Sequence, residues 1–113
     1  RAALGLATRT SYSATKSGMM GMARTWALEL GPYGITVNTV APGPIQDTEM
    51  FEAVVPADSE KLVDMAASIP VKRLGRSIDV AHAVDFLADE ASGFITGQTL
   101  MVCGGASLGS LAL

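Results

Sequence analysis

Hydrophobic positions along the chain follow a helical period first and a strand period afterwards. From Ser11 to Leu30, Tyr12, Lys16, Met19, Ala23, Ala27 and Leu30 recur at three- and four-residue steps, with Trp26 on their flank. That spacing places side chains on one face of a 3.6-residue helix. The opposite face carries Ala14, Gly18, Gly21 and Thr25. An interior glycine costs a helix about 1 kcal/mol against alanine, so this bare face is expected to admit the close approach of another helix. The alternative is a helix that merely tolerates its glycines. Gly31-Pro32-Tyr33-Gly34 ends the helix, with Gly31 as its glycine cap and Pro32 unable to continue it.

Ile35 to Ala41 is apolar or β-branched at nearly every second position, which predicts a short strand covered on both sides. Pro42-Gly43-Pro44 breaks it at its carboxyl end. Met50, Phe51, Val54 and Val55 are too apolar for a solvated loop. Asp58 or Ser59 can cap a following helix, with Leu62, Met65, Ala66 and Ile69 on one stripe. Pro70 to Arg76 is a connector whose three cations, Lys72, Arg73 and Arg76, read as a solvated turn. Ser77 is expected to cap a helix from Ile78 to Asp89 that buries Val80, Ala83, Val84 and Leu87. His82 falls off that stripe and reads as exposed. Ala91 to Gly97 then leads into a strand, Thr99 to Cys103. The order is helix, strand, two short apolar helices, helix, strand: an α/β chain without internal repeats.

Composition narrows the partners. The chain has 113 residues, 49% hydrophobic and 17% charged, so much of its surface expects cover. A net charge of −3 argues against nucleic acid and against an anionic membrane surface. No apolar run approaches the ~18 residues of a membrane span, and Arg1-Ala2-Ala3-Leu4-Gly5 does not read as a secretory signal. A single cysteine, Cys103, excludes an internal disulfide and points to a reducing, cytoplasmic compartment. With one histidine and one cysteine, no metal site is expected. Cys103 reads as a small buried apolar residue, since no basic group neighbours it.

The chemistry-bearing pair is Tyr12 and Lys16. Positions i and i+4 stack on one helix face. A free phenol, with a pKa of about 10, is a poor proton carrier at neutral pH. A nearby cation favours phenolate, each unit of lowering being worth about 1.4 kcal/mol, and a tuned tyrosine can exchange a proton with an alcohol oxygen. Spacing alone favours the plainer reading, a surface lysine one turn from a half-buried tyrosine.

The company of the pair changes that balance. Tyr12-x-x-x-Lys16 is followed by Ile35-Thr36-Val37-Asn38-Thr39-Val40, by Ala41-Pro42-Gly43-Pro44-Ile45, by Gly93-Phe94-Ile95-Thr96-Gly97-Gln98 and by Gly104-Gly105. In that order and spacing, the set resembles the C-terminal half of the catalytic domain of the short-chain dehydrogenase/reductase family, from Arg1 to about Gly105. The resemblance implies the C-terminal part of a doubly wound, parallel-sheet Rossmann fold, with residues 1–113 belonging to a single NAD(P)-binding domain. No G-x-G-x-x-G turn follows a strand here, so the N-terminal half is expected to be absent, and the family's catalytic serine would fall just before Arg1.

By resemblance, Tyr12 is the general acid/base and also a cofactor-binding residue, and Lys16 activates it and holds the nicotinamide ribose. Pro42, Gly43, Pro44 and Ile45 lie beside the nicotinamide, and Thr48 contacts the cofactor. The family's spacing from Pro-Gly to that threonine is one residue shorter, with Gln46-Asp47 filling the gap here. A plain proline-favoured turn is the other reading of this loop. The implied reaction moves a hydride between NAD or NADP and a secondary alcohol or ketone, a small-molecule substrate. The helix from Ser11 packs across a subunit interface in the family, implying a homo-oligomer, dimer or tetramer, for the full-length form. The short helices after the loop resemble a substrate lid, although their methionines also suit plain core packing. Cys103 departs from the aspartate common before the paired glycines, and the apolar tail Ala106 to Leu113 is expected to dock on another subunit or on the pocket rim. Alone, the chain is expected to be insoluble or molten and inactive. The competing readings are a non-catalytic fragment or oligomerisation module, and a substrate-binding half working with a separately encoded partner.

Overall fold

The structure, a computed structural model, describes residues 10–56 and 59–109. The alternative cap Asp58 and the last four tail residues lie outside them. Six elements follow in order: α1 Thr10–Leu30, β1 Thr39–Pro42, α2 Glu49–Val54, α3 Glu60–Ser68, α4 Ser77–Ala88 and β2 Thr99–Val102. β1 and β2 pair as a two-stranded sheet. Thr39 N donates to Gln98 O at 2.8 Å and Gly43 N to Val102 O at 2.9 Å, an advance of equal steps along both strands that makes the pair parallel. The chain divides into two compact units, 1–39 with 86–100, and 40–85 with 101–113.

In the first unit, α1 runs unbroken through its interior glycines, and the expected stripe supplies its buried residues, Ala23 and Ala27. Ala27 is where α1 meets the turn before β2: a Cβ on Gly97 would stand 3.5 Å from that of Ala27. Two sequence expectations are corrected here. The left-handed cap is Gly34 (φ 74), not Gly31, because Gly31–Tyr33 tightens into a 3-10 turn first and Gly34 N–H closes it onto Gly31 O. The strand also begins at Thr39 rather than Ile35, and its residues are half-buried or exposed rather than covered on both sides. The reason is visible in the pairing of residues 37 and 38. Val37 N donates to Thr96 Oγ1 at 3.0 Å, Asn38 Nδ2 to Ile95 O at 3.0 Å, and Gln98 N to Asn38 Oδ1 at 3.1 Å. These side-chain bonds accompany a single backbone bond, from Gly97 N to Val37 O at 2.7 Å, so no regular ladder forms there.

In the second unit, the buried residues are Val55, Ile69, Leu74 and Ala83. Burying a side chain such as Ile69 contributes about 1.5–3 kcal/mol. Around it the paired glycines fit closely: Gly104 (φ 62) faces Val71 and Ile69, and Gly105 (φ 90) faces Pro70, each too near for a Cβ. Val71 N donates to Gly104 O at 3.2 Å.

The helices differ from expectation in their caps and faces. Ser59 stands at the N-cap of α3 without a side-chain cap bond, and its hydroxyl is buried without a partner. Ser77 is the first residue of α4, not its cap: its N–H and hydroxyl donate to Asp47 Oδ1 at 2.7 and 2.9 Å, from 30 residues away. Val84 of the expected α4 face is exposed, while Val80 and Leu87 are half-buried and His82 is exposed. The connector is no plain solvated turn. Arg73 grips Asp79 in a two-point pair at 2.9 and 3.1 Å, and Lys72 Nζ donates to Ala67 O at 2.8 Å. Among the described residues, no helix is long and apolar enough to cross a membrane.

Candidate active site

The sequence-predicted site residues fall into two groups. Tyr12 and Lys16 belong to the first unit, and Pro42, Gly43, Pro44, Ile45 and Thr48 to the second. Helical geometry alone places the first pair one turn apart near the start of α1. Between them the Thr15 hydroxyl donates to Ser11 O at 2.8 Å. Lys16 is exposed, and the Tyr12 side chain lies outside what the structure describes.

The second group is held by contacts distant in sequence. Pro42 ends β1, and Gly43 lies so close to the other strand that a Cβ there would fall 2.8 Å from Cys103 Cβ and 2.9 Å from its Cα. Only glycine satisfies that approach without a shift. Past it, Ile45 forms an isolated parallel bridge with Gly75. Gly75 N donates to Pro44 O at 2.9 Å, and Gln46 N to Gly75 O at 3.0 Å. A Cβ on Gly75 would in turn meet Ile45 Cδ1 at 2.6 Å. The loop is thus a fixed strap, more than the proline-favoured turn that the sequence allowed. Thr48 is the N-cap of α2: its hydroxyl accepts from Phe51 N at 3.2 Å and lies 3.4 Å from Ile45 O.

Two polar residues, Asp47 and Asn38, escaped the sequence reading, and the surroundings of a third, Cys103, differ from it. Asp47, bonded to Ser77, has its carboxyl held below the usual range, first by the Ser77 N–H and then by its hydroxyl. Nothing local announced a bond across 30 residues. Asn38 was legible in principle, as a polar residue interrupting an apolar strand pattern. Cys103, expected to be buried and apolar, is half-buried with Sγ 3.2 Å from Ser107 Oγ. Burial pushes its thiol up, but hydrogen bonds from Ser107 and from the backbone of Ser107, Gly105 and Ala106 outweigh that and leave it below its ordinary value. Asp79 is held at about 2, chiefly by Arg73 and next by the Arg76 N–H. No group of three potential metal ligands occurs among the described residues.

Known proteins can be set against this geometry. The family profile described as enoyl-(acyl carrier protein) reductase matches residues 1–107. A short chain dehydrogenase family protein from Francisella tularensis superposes with a TM-score of 0.81 at 25% identity, over 93% of this chain and 46% of its own. The chain belongs to the short-chain dehydrogenase/reductase family. Its α/β fold is part of a Rossmann fold. A structure titled ElxO with NADP bound superposes with a TM-score of 0.76 at 34% identity, over 87% of this chain and 39% of that one. In sequence, the chain is 49% identical over 96% of its length to (2S)-[(R)-hydroxy(phenyl)methyl]succinyl-CoA dehydrogenase subunit BbsD of Thauera aromatica, and covers 42% of that protein. It is 45% identical over 91% of its length to 3-oxoacyl-[acyl-carrier-protein] reductase FabG of Staphylococcus epidermidis, covering 41% of it. The chain therefore spans about two fifths of the length of these curated relatives.

Proposed function

We propose that the protein to which this chain belongs is an NAD(P)-dependent oxidoreductase that interconverts a secondary alcohol and a ketone. The observation that carries the reading is the unbroken first part of α1, which sets Tyr12 and Lys16 one turn apart in a chain of this family. The relatives' names add support: one names a hydroxy(phenyl)methyl group, a secondary alcohol, and the other a 3-oxoacyl group, a ketone. A bound nicotinamide supplies the chemistry of hydride exchange. The chain's own part is proton transfer and positioning. Tyr12 Oη passes a proton to or from the substrate oxygen, and the Lys16 ammonium favours the phenolate and binds the ribose.

Pro42, Gly43, Pro44 and Ile45 fit a place beside the nicotinamide. They leave the carboxyl end of β1, where open α/β sheets bind their ligands, and the bonds to Gly75 hold them fixed. Thr48 has its hydroxyl engaged in capping α2, so its share in cofactor binding would be made alongside that bond. The working protein is a cytoplasmic homo-oligomer in this reading. Gly18 and Gly21 face open space, and Met19, Met22 and Trp26 of the same helix are each about half exposed, which supports a partner helix on α1. The same surface is what favours the second reading, an oligomerisation module without chemistry.

The deciding experiment compares the full-length protein with the 113-residue chain. Full-length protein is expected to reduce NAD+ or NADP+ in the presence of secondary alcohols, and the short chain to bind neither dinucleotide. Few hydrophobic side chains are buried among the described residues, and Met50, Val54, Val63 and Ile78 are all more than two-thirds exposed. That leaves little burial to offset a backbone entropy cost of ~1–2 kcal/mol per residue. Full-length protein inert on every alcohol and ketone, yet oligomeric through α1, would favour the module. A cooperative melt of the short chain, raised by either dinucleotide, would refute the expectation that it neither folds nor binds cofactor alone.

A further inference from the structure

We infer that Asp47 is a positioning residue that fastens the strap Pro42–Thr48 to the first turn of α4 and so sets the strap's cofactor-binding geometry. The inference rests on the functional reading above for what the strap binds, but its structural basis is independent of it. Asp47 sits between Ile45, bridged to Gly75, and Thr48, the cap of α2. Its Oδ1 accepts from both Ser77 N and Ser77 Oγ, at 2.7 and 2.9 Å. Together with the two backbone bonds between Pro44, Gln46 and Gly75, this gives four hydrogen bonds joining residues 44–47 to residues 75–77. The backbone bonds hold only the middle of the strap. Thr48 ties the far end to α2, and Asp47, immediately before it, carries the bonds to α4.

Carboxylates at a helix N-terminus are held both by unpaired N–H groups and by the helix dipole. An acceptor reaching in from a distant loop makes the start of α4 and the end of the strap one mechanical piece. Arg73 and Asp79 stiffen the same corner, since Asp79 also accepts from Arg76 N at 2.8 Å. Asp47 touches neither substrate nor cofactor in this account; it acts through the strap.

The test uses full-length protein and reads nicotinamide-cofactor dissociation constants beside melting temperatures. Asp47→Ala is expected to weaken binding of the reduced cofactor about ten-fold, the scale of losing a good helix cap, with Asp47→Asn recovering most of it. Ser77→Pro removes both donors while proline suits the first position of a helix, so it is expected to weaken binding equally without loss of folding. Combining Asp47→Ala with Ser77→Pro adds nothing further if the two act only through each other. A wild type that binds neither dinucleotide overturns the functional reading and this inference with it. A wild type that binds, with Asp47→Ala or Ser77→Pro binding as tightly and only melting earlier, overturns the inference alone and makes Asp47 a stability cap.

Discussion

The start of α1 and the strap after β1 carry the two halves of the proposed site, and they are held in opposite ways. On α1, Tyr12 and Lys16 are registered by backbone hydrogen bonding within a few residues, so any helix there sets their spacing. On the strap, residues 43–48 are placed by partners at 75, 77 and 102, through single bonds and close contacts. One region is specified by a local rule that tolerates neighbouring change. The other depends on distant residues being of one kind. In the proposed function, proton transfer belongs to the tolerant region, which shares the cofactor with the exacting one through Lys16.

The largest expected effect tests the tolerant region through its chemistry. Tyr12→Phe in the full-length protein leaves the helix intact and removes the acid/base oxygen, so turnover is expected to fall by ~10²–10⁴ with cofactor binding little changed. Wild-type turnover in that variant would make Tyr12 structural. Lys16→Met comes next. Loss of the charge is expected to disfavour the phenolate, moving the alkaline optimum up, and to loosen the cofactor. If both the pH profile and the affinity stayed put, neither role would survive.

The exacting region is probed through stability. Gly43→Ala forces a Cβ to within 2.8 Å of Cys103 Cβ. Overpacking of this kind costs about 1–3 kcal/mol, read as a lower midpoint in urea. An unchanged midpoint would show that the strands can part freely. The smallest effect belongs to Asp79, whose partner Arg73 is mostly exposed. With a folded pKa of about 2, below the unfolded value of ~3.9, it stabilises above pH ~4 and loses that contribution as pH falls towards 2. Asp79→Asn is expected to flatten the fall in melting temperature over that window, and a parallel fall in both proteins would count against the pair.

The same division explains what the sequence could reveal. The span of α1 and its buried Ala23 and Ala27 follow from periodicity, and β2 begins where the apolar run begins. The onset of β1 did not follow, because Asn38 and Thr96 pair residues 37 and 38 largely through side-chain bonds that a propensity pattern cannot register. Ser77 looked like a cap because serine ordinarily is one; the actual acceptor, Asp47, comes from another part of the chain. Arg73 looked solvated for the same reason, its partner lying in the first turn of α4. The proposed site residues come from the resemblance to a family, whereas the bonds that hold the strap become visible only in three dimensions.

Gly43 and Cys103 finally illustrate a one-way dependence between two positions. The atoms that crowd position 43 are the Cβ and the backbone of residue 103, not its sulfur. Every residue other than glycine would bring the same Cβ, so the side chain at 103 is free to vary in chemistry while the restriction on 43 stands. Exchanging Cys103 for serine or aspartate would therefore give position 43 no new latitude. A mutational scan of both sites would record a broad row beside a nearly empty one, and the thiol could be removed for site-specific labelling elsewhere without reopening the strap.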